Sequence, residues 1–139
     1  MIAKVFFDSN IFLYAGSKAE GDQKKGDICR ALIAHEQAVI STQVLQEFIN
    51  NALRKPRLQI SEEKIDLMLR IAGDMEVISM TRDLILKATE LRRSYQISHW
   101  DSTIIAAAIH ANCEVLYSED LSHGQSFEGG RVVNPFMNS

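Results

Sequence analysis

Lys4-Val5-Phe6-Phe7-Asp8 is a short apolar run that ends on a carboxylate. Its apolar residues leave no polar face, so residues 2–7 read as a strand buried on both sides of a sheet. Ala38-Val39-Ile40, Glu76-Val77-Ile78 and Val115-Leu116-Tyr117 repeat the pattern, and Arg131-Val132-Val133 is a candidate fifth strand. Helical segments lie between them. Ser9 or Asn10 is expected to cap residues 11–15, and residues 24–36 form the next helix. Ser41 or Thr42 caps a helix that runs to Arg54 and stops before Pro56. Ser61 opens a helix ending near Gly73, and Thr81 caps residues 82–95. Ser98-x-x-Asp101 has the form of a capping box before a helix reaching Asn112. Residues 18–23 and 118–130 read as loops. Short strands alternating with helices predict a parallel sheet of four to five strands, covered on both faces.

The chain has 139 residues, which fits one domain over 1–139. Apolar residues make up 46%, with two prolines and seven glycines, which argues against extensive disorder. Cys29 and Cys113 lack metal-ligand spacing and read as reduced, buried thiols of an intracellular protein. No N-terminal stretch has the charged start and apolar middle of a secretory signal, and no window is apolar enough to span a membrane. A cytoplasmic protein is expected. The net charge of −3 does not advertise nucleic-acid binding, although phosphate contact depends on local patches.

Four acids stand where a parallel sheet would gather them. Asp8 and Asp120 follow strands, Asp101 opens a helix, and Glu47 lies within one. Residues past strand ends and on helix first turns converge on one crevice. Carboxylates crowded there must take up protons or share a cation, which points to a metal-dependent enzyme. Each acid also has an ordinary reading. Asp101 shares a helix face with Ile104, Ile105 and Ala108, yet it also completes the capping box. Asp8 suits a helix cap as well as a metal ligand. Asp120 sits in turn composition beside Glu119, its rival for the same space; side-chain alternation lets only one point inward. Glu47 lies away from the core face Val44, Leu45, Phe48, Ile49 and Ala52, as a solvated residue would.

The remaining candidates are weaker. His35 and His110 have no partner at ligand spacing and read as structural. His99 and Trp100 are expected to pack or cap, with a cleft mouth as the alternative. Arg54, Lys55, Arg57, Arg92 and Arg93 form short basic clusters, which are the best candidates for phosphate contact. Gly-rich phosphate loops and serine-nucleophile motifs are absent.

Taken together, the residues resemble the PIN-domain ribonucleases, most closely the VapC-type toxins of toxin–antitoxin pairs. The likeness rests on Phe7-Asp8-Ser9-Asn10, Ser41-Thr42-Gln43-Val44-Leu45-Gln46-Glu47-Phe48 and Asp101-Ser102-Thr103-Ile104-Ile105-Ala106-Ala107-Ala108. It continues through Ser118-Glu119-Asp120 and Val132-Val133-Asn134-Pro135-Phe136. The resemblance implies a three-layer α/β/α sandwich. It implies that Asp8, Glu47, Asp101 and Asp120 bind one or two Mg²⁺ or Mn²⁺ ions, with Asn10 and Ser118 in support. It further implies an endoribonuclease cutting tRNA or rRNA, a homodimer, and an antitoxin partner that covers the site. Asp120 falls in a variable part of the family pattern, and the acidic overall charge is a second departure.

Two other functions fit parts of the chain. A phosphatase-like enzyme would use Asp8 as nucleophile, but such enzymes generally want an Asp where Asn10 stands. A catalytically inactive binding module on the same fold would not need all four acids.

Overall fold

Strand β1 (Lys4–Phe7) lies in the interior of the sheet, and Val5, Phe6 and Phe7 are buried on both of its faces. The computed structural model describes residues 3–137; the expected strand start at Ile2 lies outside them. Helices α1 (Ser9–Gly16) and α2 (Gln23–His35) lead to β2 (Gln37–Ser41), α3 (Thr42–Arg54) and α4 (Glu62–Ala72). Then come β3 (Glu76–Ile78), α5 (Arg82–Tyr95), α6 (His99–His110) and β4 (Val115–Tyr117). Strands β5 (Ser126–Phe127) and β6 (Gly130–Val133) close the sheet in the order β3-β2-β1-β4-β6-β5. Every pairing except β5 with β6 is parallel.

The helix starts follow the hydroxyl pattern. Ser41, Ser61, Thr81 and Ser98 each accept a hydrogen bond from the backbone N–H three residues on, at 3.0–3.3 Å. Helix α3 stops before Pro56, which opens a 3-10 turn to Leu58. Helices α1 to α4 pack as one group and α5 packs on α6 as the other, covering the two faces of the sheet. Ile104 to Ala108 are buried all round, which places α6 deep in its layer.

The structure corrects the sequence reading at three places. Asp8, whose ordinary reading was a helix cap, takes the place given to Ser9 or Asn10 and caps α1, accepting from the Ser9 N–H at 2.7 Å. Among the described residues the sheet has six strands rather than four to five, and one edge pairing is antiparallel. The sixth is β5, inside the segment expected to be loop. Two residues cannot display an alternation, so β5 left no periodic signal. Its hairpin depends on glycine. Gly129 turns at φ +84°, and a Cβ on Gly130 would lie 2.7 Å from the Cys113 carbonyl oxygen. Cys29 and Cys113 are free and buried, as expected.

Candidate active site

The carboxyl ends of β1 and β4 open onto a cavity of about 330 Å³, lined by residues that include Ser9, Asn10, Tyr14, Glu47, Lys55, Arg57, Glu119 and Asp120. Asp8, at the end of β1, precedes the lining residues Ser9 and Asn10 without itself lining the cavity. Its backbone N–H donates to the Tyr117 carbonyl at 3.0 Å, extending the β1–β4 ladder by one residue. The residue is only 6% exposed. Oδ1 accepts from the Ser9 N–H and Oδ2 accepts from the Ser118 hydroxyl, both at 2.7 Å. Burial pushes this carboxyl up from 3.8 to about 6. The Ser118 and Ser9 hydrogen bonds pull it back, while the negative charges of Glu47 and Asp120 push it further up.

Glu47 reaches the cavity from α3. Its Oε1 accepts from Gln43 Nε2 at 2.6 Å, and its Oε2 accepts from the Ser9 hydroxyl at 3.2 Å. The residue is half-buried, so the solvated reading gives way to a held side chain. Gln43 stands four residues earlier on the same helix face, a spacing that brings side chains together. Sequence reasoning missed Gln43; its i, i+4 relation to Glu47 was the available signal.

The loop after β4 separates the rival acids. Ser118 Oγ accepts from the N–H groups of Asp120 and Leu121, both at 3.2 Å, which makes a tight turn. Asp120 Oδ2 then accepts from Asn10 Nδ2 at 3.3 Å. Glu119 is engaged elsewhere: Oε1 accepts from the Tyr14 hydroxyl at 2.6 Å, and Oε2 pairs with Lys25 Nζ. Lys25 Nζ also stands 5.0 Å over the Tyr14 ring and 5.1 Å over the Phe136 ring. Both acids line the cavity, but a cation and a phenol already hold Glu119. Sequence reasoning did not find Tyr14 or Lys25, which meet Glu119 only through the tertiary fold.

Asp101 sits in the first turn of α6. Burial raises its carboxyl above the ordinary range, the Ser98 hydroxyl lowers it, and the Asp120 charge raises it again. The negative charges of Glu47 and Asp120 thus both act on Asp8, and that of Asp120 also acts on Asp101. Among the basic candidates, Lys55 and Arg57 line the cavity, and Arg54, Arg92 and Arg93 do not. His35 and His110, read as structural, are exposed at helix ends.

Among the described residues, no group of three or more His, Cys, Asp or Glu side chains is placed to hold a metal ion, so the four acids do not form a ready-made cage. The donor chemistry nevertheless fits a hard divalent cation. The groups are oxygen ligands, and Mg²⁺ keeps several waters and needs only one or two carboxylates directly. Asn10 Oδ1 is buried without a hydrogen-bond partner among the described residues, in a residue 7% exposed that lines the same cavity. An orphaned buried carbonyl lining the cavity, together with a buried carboxyl raised to about 6, makes an environment that a cation would relieve.

A model of the PIN domain matches residues 5–124 of the chain. The fold superposes on a toxin–antitoxin complex from Klebsiella pneumoniae with a TM-score of 0.67 and 21% identity, covering 95% of this chain and 98% of that one. It superposes on Mycobacterium tuberculosis VapC20, a sarcin–ricin loop cleaving toxin, with a TM-score of 0.66 and 18% identity, covering 84% and 89%. VapBC2 from Rickettsia felis, solved on a DNA fragment from its promoter, gives 0.63 and 20%, covering 93% and 96%. At these identities the likeness is one of fold. No curated protein matched the chain.

Proposed function

Because this chain belongs to the PIN-domain family, we propose that it is a Mg²⁺- or Mn²⁺-dependent endoribonuclease, the toxin of a toxin–antitoxin pair. The observation that carries the reading is the buried Asp8 carboxylate, raised to about 6, within electrostatic reach of Glu47 and Asp120 at the carboxyl end of the sheet. In this reading Asp8, Glu47, Asp101 and Asp120 hold the ion. When bound, it would lower the pKa of a water for attack on phosphorus and stabilise the leaving oxygen.

The chain's own residues prepare that site. Ser9 and Ser118 fix the two oxygens of Asp8. Gln43 orients Glu47, and Asn10 turns Asp120 toward the cavity. Lys55 and Arg57 on the rim supply positive charge for the RNA backbone, offsetting the net charge of −3. The toxin label draws support from the toxins and toxin–antitoxin complexes that share the fold. By the same analogy the partners are an antitoxin and a second copy of the chain, the substrate is tRNA or rRNA, and the protein works as one domain in the cytoplasm.

Incubation of purified protein with structured RNA tests the proposal. Cleavage that requires Mg²⁺ or Mn²⁺ and stops with EDTA is the expected result. Undiminished cleavage in EDTA, or intact RNA across a range of substrates and both metals, contradicts it.

A further inference from the structure

Trp100 is the only tryptophan in the chain, and 65% of it is exposed, although packing or capping was expected for it. It occupies the first turn of α6, one residue before Asp101. That turn is stiffened. The Ser102 hydroxyl donates to the His99 carbonyl at 2.6 Å, and the Thr103 hydroxyl donates to the Trp100 carbonyl at 2.7 Å. His99 meets the indole edge-to-face, with ring centroids 4.9 Å apart and planes at 66°. A braced, open indole is an arrangement that a buried packing role would not require.

We propose that Trp100 is a stacking platform for an unpaired base of the substrate RNA, next to the phosphate to be cut. This inference rests on the ribonuclease reading and adds a base-contacting subsite to it. Three observations support an unstacked nucleobase as the occupant. The indole stands at the same end of the sheet as the candidate site, because α6 ends at His110 just before β4 starts at Val115, which puts its first turn at the carboxyl end. The cations for the phosphate backbone, Lys55 and Arg57, come from the helix layer on the other face of the sheet. A strand of RNA crossing the carboxyl end would therefore meet charge on one side and an aromatic face on the other. Single-stranded RNA is recognised in this way, by backbone cations together with bases stacked on aromatic rings.

The sole tryptophan provides its own probe. Asp8→Asn protein is titrated with a short single-stranded RNA and with an abasic ribose-phosphate oligomer of equal length and charge. Saturable quenching of indole emission by the RNA, and little by the abasic oligomer, is expected. Trp100→Ala should weaken RNA binding about tenfold, and Trp100→Phe should recover most of it. Circular dichroism establishes that both variants are folded. Emission indifferent to RNA, or equal quenching by the two oligomers, overturns the proposal. So does an emission shift driven by protein concentration alone, which would assign the ring to a contact between copies. The two readings fail separately. Quenching without any metal-dependent cleavage by wild-type protein removes the nuclease and keeps the base contact. Cleavage with unquenched Trp100 does the reverse.

Discussion

Two hollows of similar volume, about 330 Å³ and about 350 Å³, lie at opposite ends of the sheet. The second sits at the starts of β2 and β3 and includes Glu36, Asp74 and Glu76 among its lining residues. It too is acidic. Its acids, however, are not fully buried, and Glu76 is matched by Lys4 at 2.9 Å in an ion pair that is substantially open to solvent. At the carboxyl end, Asp8 is buried, Asn10 Oδ1 has no partner, and Lys55 and Arg57 make no ion pair among the described residues. The contrast teaches that neither concavity nor negative charge identifies a site. What distinguishes the carboxyl end is charge held under desolvation, which water cannot neutralise and a ligand can.

Substitutions at the two ends should separate most sharply in RNA cleavage. Asp8→Asn should reduce it on the order of a thousandfold with the fold intact, because it removes a buried ligand of the proposed ion. Glu76→Gln at the other end should leave it within about twofold, since exposed ion pairs contribute roughly 0–1 kcal/mol. A comparable loss from both would erase the distinction.

Within the carboxyl-end cavity, Asp120→Asn should cost more than Glu119→Gln, roughly tenfold against a few-fold, because Lys25 and Tyr14 already occupy Glu119. The reverse order would make Glu119 the ligand. Asp101→Asn and Glu47→Gln should fall between Asp8→Asn and Asp120→Asn.

The pH dependence of metal-free stability sharpens the same contrast. Between 3.8 and about 6 the folded protein keeps a proton on Asp8 that the unfolded chain has released. Stability is therefore fully present below about pH 4, falls as pH rises through about 6, and stays lower above it. Without metal, Asp8→Asn should melt higher than wild type at about pH 8, by up to about 3 kcal/mol, and equal to it at about pH 3.5. Thermal melts in EDTA check this; identical pH profiles would mean that Asp8 carries no such burden.

The smallest effect is expected at Lys25. Lys25→Met should free Glu119 and lower cleavage only a few-fold, and the exchange Lys25→Glu with Glu119→Lys should recover part of it. Steady-state cleavage assays on the single and double variants would measure that recovery.

Strand cores and helix starts were readable because each is local. Val5 to Phe7 display their burial in three consecutive residues, and Ser41, Thr81 and Ser98 cap helices whose first turns follow at once. The positions of Asp8 at a strand end and of Asp101 in a helix first turn were readable for the same reason, since such places are fixed in a parallel sheet. Glu47 was harder, because a helical wheel cannot tell a cleft from bulk solvent. The choice between Glu119 and Asp120 was not readable at all. It depends on Tyr14 and Lys25, 105 and 94 residues away from Glu119. The exposure of Trp100 was hidden too, because a tryptophan in a helix first turn ordinarily packs.

Anomalous diffraction from crystals soaked in Mn²⁺ would locate the proposed ion without relying on activity. The account predicts a peak in the carboxyl-end cavity, contacted by oxygens of Asp8 and at least one of Glu47, Asp101 and Asp120, and absent from Asp8→Asn crystals. A peak only among Glu36, Asp74 and Glu76, or one that persists unchanged in the Asp8→Asn protein, would contradict it.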